Sequence, residues 1–242
     1  MFALQNIEEV SVALLAGGMA TRLGPAAART PKALVEVAGR PFIDHQMDLL
    51  KCNGLRRVVL CLGHYGEQIQ SHLGDGSQLG MEFLYSYDGT ELLGTGGALR
   101  RAIDSLSDTF FVMYGDSYMD ISYATILHHF QTSSALALMT VLRNDNQWDK
   151  SNVIYRDHTL LCYDKRHPSP EMNYVDYGVA ILRKPALEQI PADTRYDLAD
   201  LYTQLVARRQ MIGYEVHERF YEIGSPTGLA ELEKLFRNSR ST

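Results

Sequence analysis

Residues 10–18 read VSVALLAGG, a β-branched apolar run through Leu15 that stops at the pair Gly17-Gly18. A short apolar run bounded by glycines predicts a buried strand feeding a tight loop. The same unit recurs downstream. Pro41 opens a helical stretch with Ile43, Met47 and Leu50 on one face, Gly54 closes it, and 57–62 (RVVLCL) is the next strand. A short helix through Ile69 and Leu73, a strand at 81–86, a helix at 97–106 and a strand at 110–114 follow. This alternation predicts an α/β, Rossmann-like fold with a central mixed, mainly parallel sheet flanked by helices. Ligands of such sheets sit beyond the carboxyl ends of the strands, so the loops after Leu15, Ser86 and Tyr114 are the expected site.

The second half is less regular. Segments 135–143, 153–155, 160–163 and 174–182 read as strands, with Asp157-His158 as a turn, and 199–208 and 226–236 as helices. No linker or repeat separates the halves, so one domain over 1–242 is expected. With 45% apolar residues the chain can bury a real core. A net charge of −6 without a basic cluster argues against nucleic acid or an anionic membrane as partner. Any anion must be held locally. The three cysteines, Cys52, Cys61 and Cys162, have no metal-binding spacing and read as buried hydrophobes in a reducing cytoplasm. No Lys or Arg precedes Arg22, unlike a signal peptide, and no apolar run nears the ~20 residues of a bilayer span. A cytoplasmic location is expected.

Three clusters carry chemistry. In Leu15-Ala16-Gly17-Gly18-Met19-Ala20-Thr21-Arg22-Leu23, followed by Pro31-Lys32, the glycines allow close backbone approach, and successive amides can face phosphate oxygens. Arg22 and Lys32 supply positive charge. Neither GxxxxGK[ST] nor GxGxxG is present, and a glycine turn with two solvated cations fits the spacing equally well. In Glu91-Leu92-Leu93-Gly94-Thr95-Gly96-Gly97-Ala98, Thr95 is a candidate helix cap and the amide-rich turn a candidate base or ribose site, although a plain helix start explains it too. In Gly115-Asp116-Ser117, the carboxylate at a strand end suits Mg²⁺, which prefers one or two protein carboxylates plus phosphate oxygens. A surface turn aspartate is the other reading.

Together, LAGGMATRL with PK, then LGTGGA, then GDS at a strand end resemble the sugar-phosphate nucleotidylyltransferase family. The pattern LAGG-x-G-TRL-x-P-x5-PK is matched from Leu15 to Lys32 with one departure, Ala20 for glycine. The resemblance implies attack of a sugar 1-phosphate on the α-phosphorus of a nucleoside triphosphate with loss of pyrophosphate, and no covalent enzyme nucleophile. It makes Arg22 and Lys32 the catalytic cations, with Leu15, Ala16, Gly17, Gly18, Thr21, Gly94 and Thr95 around the nucleotide. Asp116 matches the metal-binding aspartate. Glu222, in Phe220-Tyr221-Glu222-Ile223-Gly224-Ser225-Pro226, stands where an IDIG[TS]P motif has its second acid. Asp164 and Lys165 resemble a VEK segment that meets the sugar and its phosphate, and Asp176 with Gly178 stands where relatives have Asn-Ala-Gly. The nucleotide-binding part would be about 1–120 and the sugar-phosphate part about 121–242.

Glu91 aligns with the glutamate of an EPLGT segment in guanylyl-transferring relatives, and a carboxylate suits the N–H donors of guanine. The look is closest to D-glycero-α-D-manno-heptose 1-phosphate guanylyltransferases. Expected partners are therefore GTP, a heptose or hexose 1-phosphate and Mg²⁺, with a homo-oligomer left open. Another nucleotidylyltransferase of the family, a GT-A glycosyltransferase and a non-catalytic nucleotide-binding protein remain as alternatives. The glycosyltransferase lacks its DxD after the fourth strand, and the silent protein rests only on the departures at Ala20, Glu222 and Asp176.

Overall fold

In the computed structural model, residues 5–20 and 29–239 are described. The opening apolar run is β1 (Ser11–Leu15), buried on both faces as a central parallel strand requires. A small ribbon, β2 (Glu36–Val37) and β3 (Arg40–Pro41), leads into α1 (Phe42–Cys52). Then follow β4 (Arg57–Leu62), α2 (Gly66–Leu73), β5 (Glu82–Tyr87), α3 (Gly94–Arg101), β6 (Thr109–Tyr114), β7 (Ser117–Tyr118) and α4 (Tyr123–Gln131). The second half adds β8 (Ala137–Arg143), β9 (Val153–Arg156), β10 (Thr159–Tyr163), β11 (Tyr174–Arg183), α5 (Lys184–Leu187) and α6 (Leu198–Ala207). It ends with β12 (Met211–Val216), β13 (Tyr221–Glu222) and α7 (Pro226–Ser239).

The strands β5, β4, β1 and β6 lie side by side and parallel, with Leu15 in register with Cys61 on one side and Tyr114 on the other. The chain winds outward from β1 to β5, then returns to place β6 on the free edge of β1. That reversal opens a crevice at the carboxyl ends of β1 and β6. Gly17-Gly18 and Gly115-Asp116 leave the sheet there. The α/β expectation is borne out, and apolar clusters cover both faces of the sheet.

Beyond β6 the pairing changes. β11 runs antiparallel to β6 and to β8, and β12 joins β8 in parallel. The β11–β8 register breaks between Asp176 and Ala180, and Gly178 takes φ +97° inside that bulge. Only glycine adopts this conformation without strain. The first residues of β11 thereby turn toward the β9–β10 hairpin, whose two-residue turn, Asp157 (φ +48°) and His158 (φ +58°), has the primed geometry of tight hairpins.

Several expectations need correction. The helix expected at 97–106 starts at Gly94 and ends at Arg101, followed by a 3-10 turn at Ile103–Ser105. α4, β12 and the two-stranded β7–β13 sheet lie outside the elements expected from the sequence. Of the cysteines expected in the interior only Cys61 is buried, its thiol pushed up to about 12 by burial and then by Asp88. Cys52, on the outer face at the end of α1, is exposed. Among the described residues no helix is long and apolar enough to cross a membrane.

Candidate active site

The crevice is a cavity of about 240 Å³. Leu15, Ala16, Gly17, Gly18 and Lys32 line it from the first loop, Gly94 and Thr95 from α3, and Asp116 from the turn after β6. These are residues that the sequence singles out from separate stretches. Thr21 and Arg22 lie outside the described residues. Among the described residues, Met19 and Pro31 form an antiparallel bridge, and the Lys32 amide donates to the Gly18 carbonyl at 3.1 Å. Lys32 is thus set over the glycine pair. Its ammonium donates to Asp116 Oδ2 at 2.8 Å, with the side chains 14% and 32% exposed.

Asp116 sits on a braced turn. The buried amide of Gln46 on α1 donates to the carbonyls of Tyr114 (3.0 Å) and Ser117 (2.9 Å), and the Ile223 amide donates to the Asp116 carbonyl at 3.0 Å. β13 pairs Glu222 with Ser117, which carries the second carboxylate to the first across 106 residues of chain. A methyl group on Gly224 would lie 2.8 Å from Glu222 Oε2, 3.3 Å from Lys32 Nζ and 3.7 Å from Asp116 Oδ2. Two hard carboxylate oxygens and one ammonium therefore surround a single point. The donor set fits a divalent cation that completes its shell with phosphate oxygens and water.

In the glycine-rich LGTGG turn, two of the amides are taken up within the chain. The amides of Gly96 and Gly97 donate to the Tyr196 carbonyl at 2.9 and 3.2 Å, and the Tyr196 amide donates to the Leu93 carbonyl at 2.8 Å. A methyl group on Gly97 would come within 2.5 Å of the Thr194 carbonyl oxygen. The glycines admit the segment 194–196 against the start of α3. Thr95 is inside α3 and does not cap it. Its hydroxyl accepts from the Leu198 amide at 2.9 Å and donates to Asp197 at 3.2 Å, so it satisfies the first amide of α6, whose N-cap is Asp197. The turn joins the two halves while Gly94 and Thr95 still face the cavity.

Glu91 is exposed and outside the cavity lining. Asp88, just past the carboxyl end of β5, is the lining carboxylate besides Asp116 among the described residues. Burial raises its pKa against the opposing Leu93 amide, Arg101 and His64, and the Leu93 amide donates to Oδ2 at 3.0 Å. The loop after Ser86 is an expected ligand loop, so strand-end position points to Asp88 while motif alignment favours Glu91.

The residues expected around the sugar lie across Tyr114 from the cavity. A methyl group on Gly178 would be 3.7 Å from the Tyr114 ring, and the charges of Asp176 and Asp116 both reach that phenol, which burial pushes well up. Lys165 is exposed, with its charge acting on Asp176. Asp164 is engaged in its own turn, accepting from the amides of Arg166 and His167 at 2.8 Å each, and these amides hold its carboxyl below the usual range. Asp176 accepts from the Gly178 amide at 3.0 Å, but burial dominates and raises its pKa to about 6.

Between roughly pH 4 and pH 6 the folded chain therefore keeps a proton on Asp176 that the unfolded chain has released, so stability falls as pH rises through this window. Asp176→Asn keeps the acceptor and removes the charge. At pH 7 it should be more stable than the parent by about 2 kcal/mol: each pH unit separating the folded and unfolded pKa is worth ~1.4 kcal/mol, and solvent reaching the partly exposed residue takes back a part. The gain should vanish near pH 3.8, which urea unfolding across pH 3.5–7.5 would check.

Residues 11–154 match the family profile described as Nucleotidyl transferase. Among curated proteins, the chain is 26% identical over 218 residues to a mannose-1-phosphate guanylyltransferase catalytic subunit beta of Drosophila pseudoobscura pseudoobscura, covering 88% of this chain and 58% of that protein. It is 30% identical over 239 residues to the low-salt glycan biosynthesis nucleotidyltransferase Agl11 of Haloferax volcanii, covering 94% of this chain and 66% of the relative. The chain thus spans little more than half the length of several curated relatives it matches. Among solved structures, HddC from Yersinia pseudotuberculosis superposes with a TM-score of 0.77 at 23% identity, over 94% of this chain and 99% of that one. The inositol-1-phosphate CTP transferase of T. maritima gives 0.76 at 20% identity, over 94% and 96%. These last two likenesses concern the fold, whereas the profile match covers more than half the sequence and includes the first loop, Asp88 and the Asp116 turn. The chain belongs to the nucleotidyl transferase family.

Proposed function

We propose that this protein transfers a nucleoside monophosphate from a nucleoside triphosphate to a sugar 1-phosphate, with GTP the preferred donor and a heptose or hexose 1-phosphate the acceptor. One observation carries the reading: Lys32, Asp116 and Glu222 converge at the mouth of a cavity whose wall holds the carboxylate of Asp88. An oxygen of the sugar phosphate attacks the α-phosphorus in line, a new P–O bond forms, and the bond to the β-phosphate oxygen breaks with its electron pair leaving on pyrophosphate. The chain's part is to position both phosphates and neutralise their charge. Lys32 neutralises the reacting phosphate and Arg22 the triphosphate. The glycine loop, Ala16 to Gly18, approaches the nucleotide through its backbone. Lys165 meets the sugar phosphate and Asp176 a sugar hydroxyl. Asp116 and Glu222 would hold Mg²⁺, which when bound supplies further neutralisation of phosphate charge.

Guanine offers two adjacent donors, N1–H and the 2-amino group, to one carboxylate, and uracil and thymine offer one. Asp88 fits that pattern, and the guanylyltransferase names of several relatives support it. Free thiols and a nucleoside triphosphate donor both suit the cytoplasm. Pyrophosphate release measured with GTP, CTP, UTP, ATP and dTTP against heptose, mannose and glucose 1-phosphates should show GTP preferred. Preference for another triphosphate overturns the guanylyl reading, and no release from any pair overturns transfer itself. Asp88→Asn should lower kcat/KM for GTP by roughly 10²-fold and narrow its margin over the other bases.

A further inference from the structure

We infer that Ser225 is a positioning residue that holds the metal-facing carboxylate of Glu222. The inference rests on the proposed reading, in which Asp116 and Glu222 share a divalent cation. A glutamate in that place has a long side chain with several rotamers, and in a half-buried strand end it needs something to fix its head. Two donors from its own loop do so. The Gly224 amide donates to Oε2 and the Ser225 hydroxyl donates to Oε1, each at 2.5 Å. Each oxygen keeps a lone pair, and Oε2 stays on the side of Gly224 that also faces Lys32 and Asp116.

Ser225 has a second contact that ties this carboxylate to the fold. Its hydroxyl oxygen accepts from the Gly228 amide at 3.0 Å, and its carbonyl accepts from the Leu229 amide at 3.0 Å. Ser225 is therefore the N-cap of α7, with Pro226 at the first helical position. One hydroxyl serves both: it accepts from the helix and donates to the carboxylate. α7 packs through Leu232 against Val37, Phe42 and Ile223, so the Glu222 head is referenced to a fixed helix. Partners of this kind behind a metal ligand typically change metal affinity by about 10–100-fold when removed.

The test separates capping from donation. Ser225→Ala removes both, and Ser225→Gly removes the donor while glycine caps nearly as well as serine. Mn²⁺ titrated into the purified protein without nucleotide, followed by electron paramagnetic resonance of the free ion, should show at least a tenfold weaker Kd for both variants, with Ser225→Gly losing less thermal stability. Ser225→Thr, which keeps the hydroxyl, should bind within about threefold of the parent. In a Glu222→Gln background, Ser225→Ala should have no further effect on Mn²⁺ affinity. Parent-like binding in Ser225→Ala and Ser225→Gly, or an equal loss in the Glu222→Gln background, overturns the role of Ser225 alone. Failure of the parent itself to bind Mn²⁺ at millimolar concentration overturns the shared cation site and this inference with it.

Discussion

Asp116→Ala should lower kcat by about 10³-fold or more with the fold intact, and Lys32→Ala should lower it by roughly 10²–10³-fold, the range seen when one preorganised charge-stabilising group is removed. The two losses differ in kind. Asp116 is braced through its backbone by Gln46 and Ile223, so cutting its side chain leaves the turn in place and removes one of two carboxylates beside Gly224. Glu222 alone then faces the phosphates, and added Mg²⁺ should not restore the rate. Lys32 is the present counter-ion of Asp116 at 2.8 Å, so it competes with any cation for that oxygen. Lys32→Ala should therefore need less Mg²⁺ for half-maximal rate than the parent while turning over more slowly. Circular dichroism and thermal unfolding would establish the intact fold, and Mg²⁺ titration of initial rates would show the lowered requirement of Lys32→Ala and the unrestored rate of Asp116→Ala. Activity within tenfold of the parent in Asp116→Ala would refute the assignment.

Much of the first half is legible in the sequence because its signals are local. The run 58–62 is fully apolar between a helix and a glycine, and with Arg57 it forms β4 with the bounds expected for it. The positions of Lys32 and Asp116 follow from loops at strand ends, where the switch between β1 and β6 makes a crevice whatever the side chains. Contacts between distant segments are not legible. The LGTGG turn looks like a ligand loop in one dimension because its glycines permit close approach, and sequence alone does not say that the visitor is Tyr196 of the same chain. β12 carries Gly213 at its centre, which lowers any strand reading, yet a methyl group there would meet the Tyr155 ring at 2.6 Å. α4 is absent from the expected elements even though Tyr123, Ile126, Leu127 and Phe130 stand at helical spacing after Ser122, a local signal that the sequence does carry. Asp88 is hidden by the better motif match of Glu91, although strand-end position alone selects it.

Gly97→Ala should destabilise the protein by about 2–3 kcal/mol, the scale of forced overpacking, although alanine is favoured over glycine in a helix by about 1 kcal/mol. Gly97 lies within α3, so propensity alone gives the opposite sign. The added methyl would sit 2.5 Å from the Thr194 carbonyl oxygen and 2.9 Å from Leu93 Cβ, and neither can move without dragging backbone. Relief requires α3 to lift away from the segment 194–196. That movement weakens the bonds from Gly96 and Gly97 to the Tyr196 carbonyl and pulls the Thr95 hydroxyl off the Leu198 amide. Because Thr95 also lines the cavity, kcat/KM for the nucleotide should fall along with stability. Thr95→Ala should reproduce only the loss of the Leu198 amide's partner, about 1 kcal/mol, with a smaller fall in kcat/KM. Urea unfolding midpoints at a constant m-value, read beside kcat/KM for both variants, decide the matter: a neutral or stabilised Gly97→Ala means that helix propensity wins and the docking of α3 on Tyr196 is not what the glycines are for.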